Sequence, residues 1–311
     1  MRRAIFYAMI AGFLASAIAV KADVTITRKS STDMGGMMSM EMNSAETYKS
    51  DRCYSETTSK MTGGMMSMLG KGKPTQTVEI TRLDKGLLWK LEPEKKKYSE
   101  EALASFKEKF EDAKNDSENE KNKDEYTWTM EVTQIPTSQN INGFDCKGVI
   151  GKATGVKKDA PADTMFITYE QWMTDKVKGT SEVEEYQKNY AKAMGVDEMW
   201  AQESMATILG QYGNQFAELA QKINEAGSYP IRTIITVESP SGPDGDNSEN
   251  AGGGDMMSQM SKMFGKKKTE KPSGENNGRT KSFMMTNEVL SVETNTVGDT
   301  KFEIPGDYKK K

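Results

Sequence analysis

Histidine is absent from all 311 residues. That removes the commonest general base and the commonest metal ligand together. Cysteine occurs only twice, as Cys53 and Cys146, too few for a disulfide framework. There is no Gly-x-Ser-x-Gly elbow, no Walker loop and no Cys/His pairing. Gly252-Gly-Gly254 lacks the Lys-Ser/Thr of a phosphate loop. The acidic neighbours Glu184-Glu185 and Asp197-Glu198 read as solvated helix faces. No catalytic constellation is visible, and the expectation is a protein that is not an enzyme. Basic residues do not outnumber acidic ones, 42 against 46, which disfavours nucleic acid as a partner. Apolar content is low, at 35 %, as in a domain diluted by polar segments.

The one long apolar run stands at the start. Arg2 and Arg3, the stretch Ala4 to Val20 and the small-residue site Val20-Lys21-Ala22 read as a secretory signal over residues 1–22. The run is shorter than a spanning helix needs, the alternative being an uncleaved anchor. Cleavage near Ala22 takes three of the 42 basic residues, leaving 39 against 46 acidic, a net charge of −7. The expected location is the periplasm or cell envelope. In that oxidising setting Cys53 and Cys146 either form one disulfide or stay as two buried thiols.

Period-two patterning dominates the rest. Val78 to Tyr98 alternates apolar and polar residues, turns at Asp84-Lys85-Gly86, alternates again and turns at Glu92-Pro93, as a hairpin with one buried face does. Strands are expected at 23–31, 45–49, 52–58, 125–135, 144–151, 164–174, 229–238, 282–292 and 301–308. Apolar residues at three- and four-residue steps predict helices over 100–114, 181–194 and about 198–226. Strands, then helices, then strands make an α+β order. The expectation is a single domain over 23–311 with flexible insertions at 32–43, 60–74, 115–124 and 239–279.

Four segments carry a resemblance: Thr81 to Glu100 (TRLDKGLLWKLEPEKKKYSE), Ile141-Asn-Gly-Phe-Asp-Cys146, Trp172-Met-Thr-Asp175 and Phe302-Glu-Ile-Pro-Gly-Asp-Tyr308. They resemble an exported bacterial family of unknown function whose members are similar to the periplasmic lipoprotein carrier (LolA-like) half-barrel. The resemblance implies a curved, incomplete antiparallel barrel, with helices on or plugging the concave side and a hydrophobic cavity between them. It transfers no catalytic residue, and the 239–279 insertion departs from the family pattern. The expected ligand is a lipid, an acyl chain or a lipidated partner, and the expected cavity residues are Trp89, Leu91, Tyr126, Trp128, Met130, Trp172 and Trp200. The competing reading is that these aromatics are ordinary core, and a further alternative is a non-catalytic envelope structural or interaction protein with no small ligand.

Methionine is abundant. Of 23 methionines, 13 fall in three windows: five in 34–42, four in 61–68 and four in 256–263. The second and third windows repeat one another, with Met61, Met65, Met68 and Leu69 spaced like Met256, Met260, Met263 and Phe264. Three readings stand. The segments are adaptable apolar loops whose flanking lysines meet a membrane surface. Alternatively they are thioether sites for Cu(I), with Met34, Met37, Met38, Met40, Met42, Met61, Met65, Met66 and Met68 as candidate ligands. Or they are spacers without a partner. A true turn at Ser50-Asp51 sends the first two segments to the same end of the sheet, as a gate at the cavity rim. No cofactor is expected unless it is Cu(I).

Overall fold

The hairpin forms as its pattern dictates. β4 (Thr75–Arg82) and β5 (Leu87–Glu92) pair antiparallel, Val78 opposite Leu91 and Ile80 opposite Trp89. A short 3-10 turn, Pro93–Lys95, leads to β6 (Lys97–Ala102), which pairs back onto β5. The computed structural model describes residues 23–36, 38–62, 73–107, 126–195, 219, 221–223, 228–240 and 279–311.

The other strands are β1 (Asp23–Asp33), β2 (Ser39–Lys49), β3 (Arg52–Met61), β7 (Tyr126–Ile141), β8 (Phe144–Lys157), β9 (Thr164–Thr174), β10 (Tyr229–Pro240), β11 (Arg279–Asn295) and β12 (Lys309–Lys310). They make one large curved, unclosed sheet in the order β12-β6-β5-β4-β3-β2-β1-β11-β10-β9-β8-β7. All neighbours are antiparallel except β12, which runs parallel to β6. The expected curved, incomplete antiparallel sheet is therefore present. Helix is sparse, the long one among the described residues being α1 (Thr180–Met194). No described helix is long and apolar enough to cross a membrane.

β1 is central, paired with β2 on one side and β11 on the other. On β11 a bulge leaves Leu290 without a partner, so that Val289 opposes Arg28 while Val292 opposes Ile26. Three residues apart, these valines would face opposite ways on a regular strand; the bulge keeps both on one face. A second bulge, at Ile231 on β10, keeps that side chain buried while Arg232 faces away to Glu288.

α1 lies on the face that carries Val24, Ile26, Tyr48 and Cys53. It presents Val183, Tyr186, Ala191 and Met194 inward, and the Tyr186 ring meets Tyr48 edge-on at 5.3 Å. Gly179 caps its start with φ 82°, and a Cβ there would stand 2.6 Å from Val24 Cγ2. No other residue fits so close to β1.

The opposite face has its own core at the β3–β6 end. Val78, Ile80, Trp89 and Leu91 close over Phe302, which is 0 % exposed, with Val297, Ile304 and Tyr308 around it. Arg82, itself 4 % exposed, ties this flap down. It pairs with Asp84 at 2.6 Å and with Glu303, and donates to the Phe302 carbonyl at 3.3 Å.

Three expectations need correction. The helix over 100–114 does not begin at Glu100, because Glu100 to Ala102 complete β6 and only 105–107 turn helical before the described residues end. The strand over 301–308 is instead a 3-10 turn, Asp299–Phe302, followed by an irregular cover, with only Lys309–Lys310 paired as β12. Phe302 needs to point into the sheet face, which a strand added to the edge would not allow. Residues 32–43, expected as a flexible insertion, are mainly strand, since β1 runs to Asp33 and β2 starts at Ser39. The helix over 181–194 and the turn at Ser50-Asp51 form as expected, Lys49 pairing with Arg52. The region 198–226 lies largely outside the described residues.

Two outcomes follow for stability. Phe302→Ala, which empties a fully buried site, should cost about 3–5 kcal/mol in urea unfolding; a loss below about 1 kcal/mol would mean the flap is not packed as described. The Arg82 hydrogen bond holds the Asp84 carboxyl below its usual range. Burial pushes Glu303 upward, but Arg82 and Lys85 outweigh this and keep it low. Depressed carboxylates contribute stability above their ordinary pKa of about 4 and lose it as pH falls through their folded values. The urea midpoint should therefore drop with acid in that window, and Arg82→Met should flatten the drop. Equal slopes in the two proteins would remove the clamp from the account.

Candidate functional site

The expected cavity residues do not meet. Trp89 and Leu91 share one face of β5, but it is the face under the Phe302 flap. There Trp89 donates from Nε1 to Glu100 at 2.9 Å, with Lys85 Nζ 4.9 Å from the ring centre. Tyr126, Trp128 and Met130 share the other face, at the β7 edge, and pack against Ala153, Met165, Ile167 and Val237. Register sets Trp128 opposite Gly155, where a Cβ would come within 2.8 Å of the ring. Trp172 donates to Glu170 and packs in the cluster holding Ile141 and Cys146. Trp200 lies outside the described residues. These aromatics fill space against the sheet in three separate places.

An open space nevertheless exists between α1 and the sheet. It has a volume of about 510 Å³ and is bounded by the start of α1, by Thr174 and Asp175 after β9, and by β1, β10 and β11. Its walls are mixed. Val177, Ile231 and Val289 supply apolar surface, while Arg28, Asp175, Glu184, Gln187 and Asn287 supply polar groups. None of the expected cavity residues that the structure describes borders it. Ile231 and Val289 face it together with Thr233 and Asn287, two residues away on the same strands.

Arg28 sits at the wall within a polar network. Its guanidinium donates to Glu46 and, at 2.9 Å, to the Tyr229 hydroxyl, and Tyr48 donates to the same Glu46 carboxylate at 2.6 Å. Burial alone would lower the Arg28 pKa, but the Glu46 charge and the two tyrosines outweigh it and hold the group above its ordinary value. Arg28 is thus a permanent, internally neutralised cation. Burial drives the Tyr48 hydroxyl well above its usual pKa, with Glu46 adding to the effect, so it remains a proton donor rather than a base. Next to this space, Gln171 stands opposite Thr233. Its Nε2 donates to Tyr169, while its buried Oε1 has no hydrogen-bond partner among the described residues. The arrangement can orient a polar group beside an apolar one; it offers no activated nucleophile.

The described methionines of the first two segments are placed at one end of the sheet. Met40 and Met42 are on β2 and Met61 ends β3, with Met40 directly opposite Met61. Met34 and Met38 lie in the β1–β2 connection, joined by an N–H to carbonyl bond of 2.9 Å. Met37, Met65, Met66 and Met68 lie outside the described residues, as does the whole 256–263 segment. Among the described residues no group of three His, Cys, Asp or Glu could hold a metal ion.

Cys53 and Cys146 are both free and buried. Burial pushes both thiols above their ordinary pKa, Cys53 well above it. A thiol reagent at mild alkaline pH should therefore leave the native protein untouched and modify both cysteines once urea is added. A mass lower by one disulfide, or protection that persists in urea, would contradict this. No protein-family model matches the chain, and no curated protein matches it.

Proposed function

We propose that this chain is an exported, non-catalytic binding protein that holds an acyl chain or a similar amphipathic molecule between α1 and the sheet. In this reading α1 lies on the concave side of the curved sheet, and the cavity is the carrier site. The observation that carries it is the roughly 510 Å³ space, which is within the range of small-molecule pockets.

The mixed walls refine the ligand expected from sequence. A wholly apolar molecule would leave Arg28, Glu184 and Asn287 facing it without water, at a cost. A molecule with an apolar body against Val177, Ile231 and Val289 and a hydrogen-bonding end would match both halves. Arg28 is already neutralised by Glu46, so the polar end need not be anionic. The Met-bearing strand ends lie on the same face by register, Ile235 on β10 leading through Met285 and Thr32 to Met40 and Met61. Apolar thioethers at that rim suit the entry of a greasy ligand.

Native mass spectrometry of the protein purified from its own envelope, with displacement of cis-parinaric acid as a fluorescent probe, tests the reading. Thr233 borders the space, and Thr233→Trp should fill it and abolish probe binding while the protein stays folded. Absence of any bound lipid together with no probe binding to the wild type would sink the proposal, as would undiminished binding in the filled variant.

A further inference from the structure

We propose that Met40, Met42 and Met61 form a three-thioether site for a soft monovalent cation, Cu(I) in the cell, at the end of the β2–β3 hairpin. Nine methionines were candidates from sequence; strand register selects these three from among the described residues.

Met40 and Met61 are direct cross-strand partners, and Met42 is two residues along β2 from Met40, opposite Ser59. Directly opposed residues hold their Cβ atoms about 4.5–5.5 Å apart, and a two-residue step along a strand is about 6.6 Å on the same face. Three unbranched side chains rooted so closely can converge on one ion. All three are partly buried, whereas Glu41, Asn43 and Lys60, which alternate with them, are exposed.

Ordinary core packing does not account for the trio. Met165, Met173 and Met194 each belong to a hydrophobic cluster. None of the clusters formed by the described residues includes Met40, Met42 or Met61. Their in-plane neighbours are hydroxyl residues instead: Ser30 and Ser59 flank Met42, and Thr32 stands beside Met40. Thioethers set among hydroxyls gain little from one another as hydrophobes, but they are soft donors.

The donor set decides the metal. Neutral thioethers select Cu(I) over harder divalent ions, which want imidazole or carboxylate. Histidine is absent from the chain, and the nearest carboxylate in sequence, Glu41, alternates onto the other face. Thioether ligands also survive an oxidising compartment that removes thiols. None of the three lines the α1 cavity, so the site does not depend on the ligand held there.

The full chain, labelled with 13C-methyl methionine, should be titrated with Ag(I) as a redox-inert stand-in, then with Cu(I) under ascorbate and nitrogen. The Met40, Met42 and Met61 methyl signals, assigned from single leucine variants, should shift together and saturate at a single equivalent. Met40→Leu should weaken binding on the order of tenfold or more, since one of three soft ligands is lost. The variant carrying Leu at all three positions should lose that equivalent, while Thr233→Trp should retain it. The site is overturned if the three methyls do not move in concert, if only other methionines respond, or if the triple variant binds as before. Should the triple variant fail to fold, the wild-type methyl shifts decide alone.

Discussion

The pairing of β1 with β11 is the constraint on which the other features depend. Two meanders, β1 to β6 and β7 to β11, are joined within the sheet where the first strand lies against the eleventh, so β1 sits mid-sheet rather than at an edge. Val24 and Ile26, 0 % and 1 % exposed, anchor that seam under α1. A slip of one residue would exchange the faces of an entire half of the sheet. Arg28 would then leave the cavity wall, and Val24 would leave the helix. The Leu290 bulge is where the seam is tuned, leaving Leu290 37 % exposed so that Val289 and Val292 can both turn inward.

The sheet is used on both faces, but at different places. One face carries α1, the polar network around Arg28 and the cavity. The other is covered at the β3–β6 end by the C-terminal flap, which Arg82 and Phe302 pin down. This division of labour accounts for the scattered aromatics. Trp89 serves the flap and Trp128 packs over glycine at the β7 edge; neither reaches the cavity. An unclosed sheet has two edges, and β12 pairs along part of one of them.

Much of this architecture was legible in the sequence. Strands wherever alternation was clean, the α1 stripe and the Ser50-Asp51 turn follow from periodicity and turn chemistry, while the curvature of the sheet was expected only from the resemblance. The turn at Asn142-Gly143, with φ of 52° and 89°, carried the strongest local hairpin signal and could have fixed the β7–β8 pairing in advance. What could not be read was anything set by a bulge or by long-range order. Val292 breaks the alternation that Val289, Asn287 and Met285 keep on its own strand, so a period-two reading sends it to the wrong face. Trp89 and Leu91 obey alternation, yet nothing local says which of two covered faces they join. Phe302 lies in a stretch rich enough in apolar residues to read as a strand, and only the sheet it covers distinguishes the two. The methionine trio shows the converse: composition flagged thirteen residues, and among the five of them that are described, register puts three in one patch.

The seam can be measured directly. Backbone nuclear Overhauser contacts across β1 and β11 report which residues lie opposite one another. The account predicts Arg28 against Val289, Ile26 against Val292 and no partner for Leu290. Contacts displaced by one residue, or Leu290 paired in an unbroken ladder, would turn Arg28 away from the cavity and contradict the account at its root.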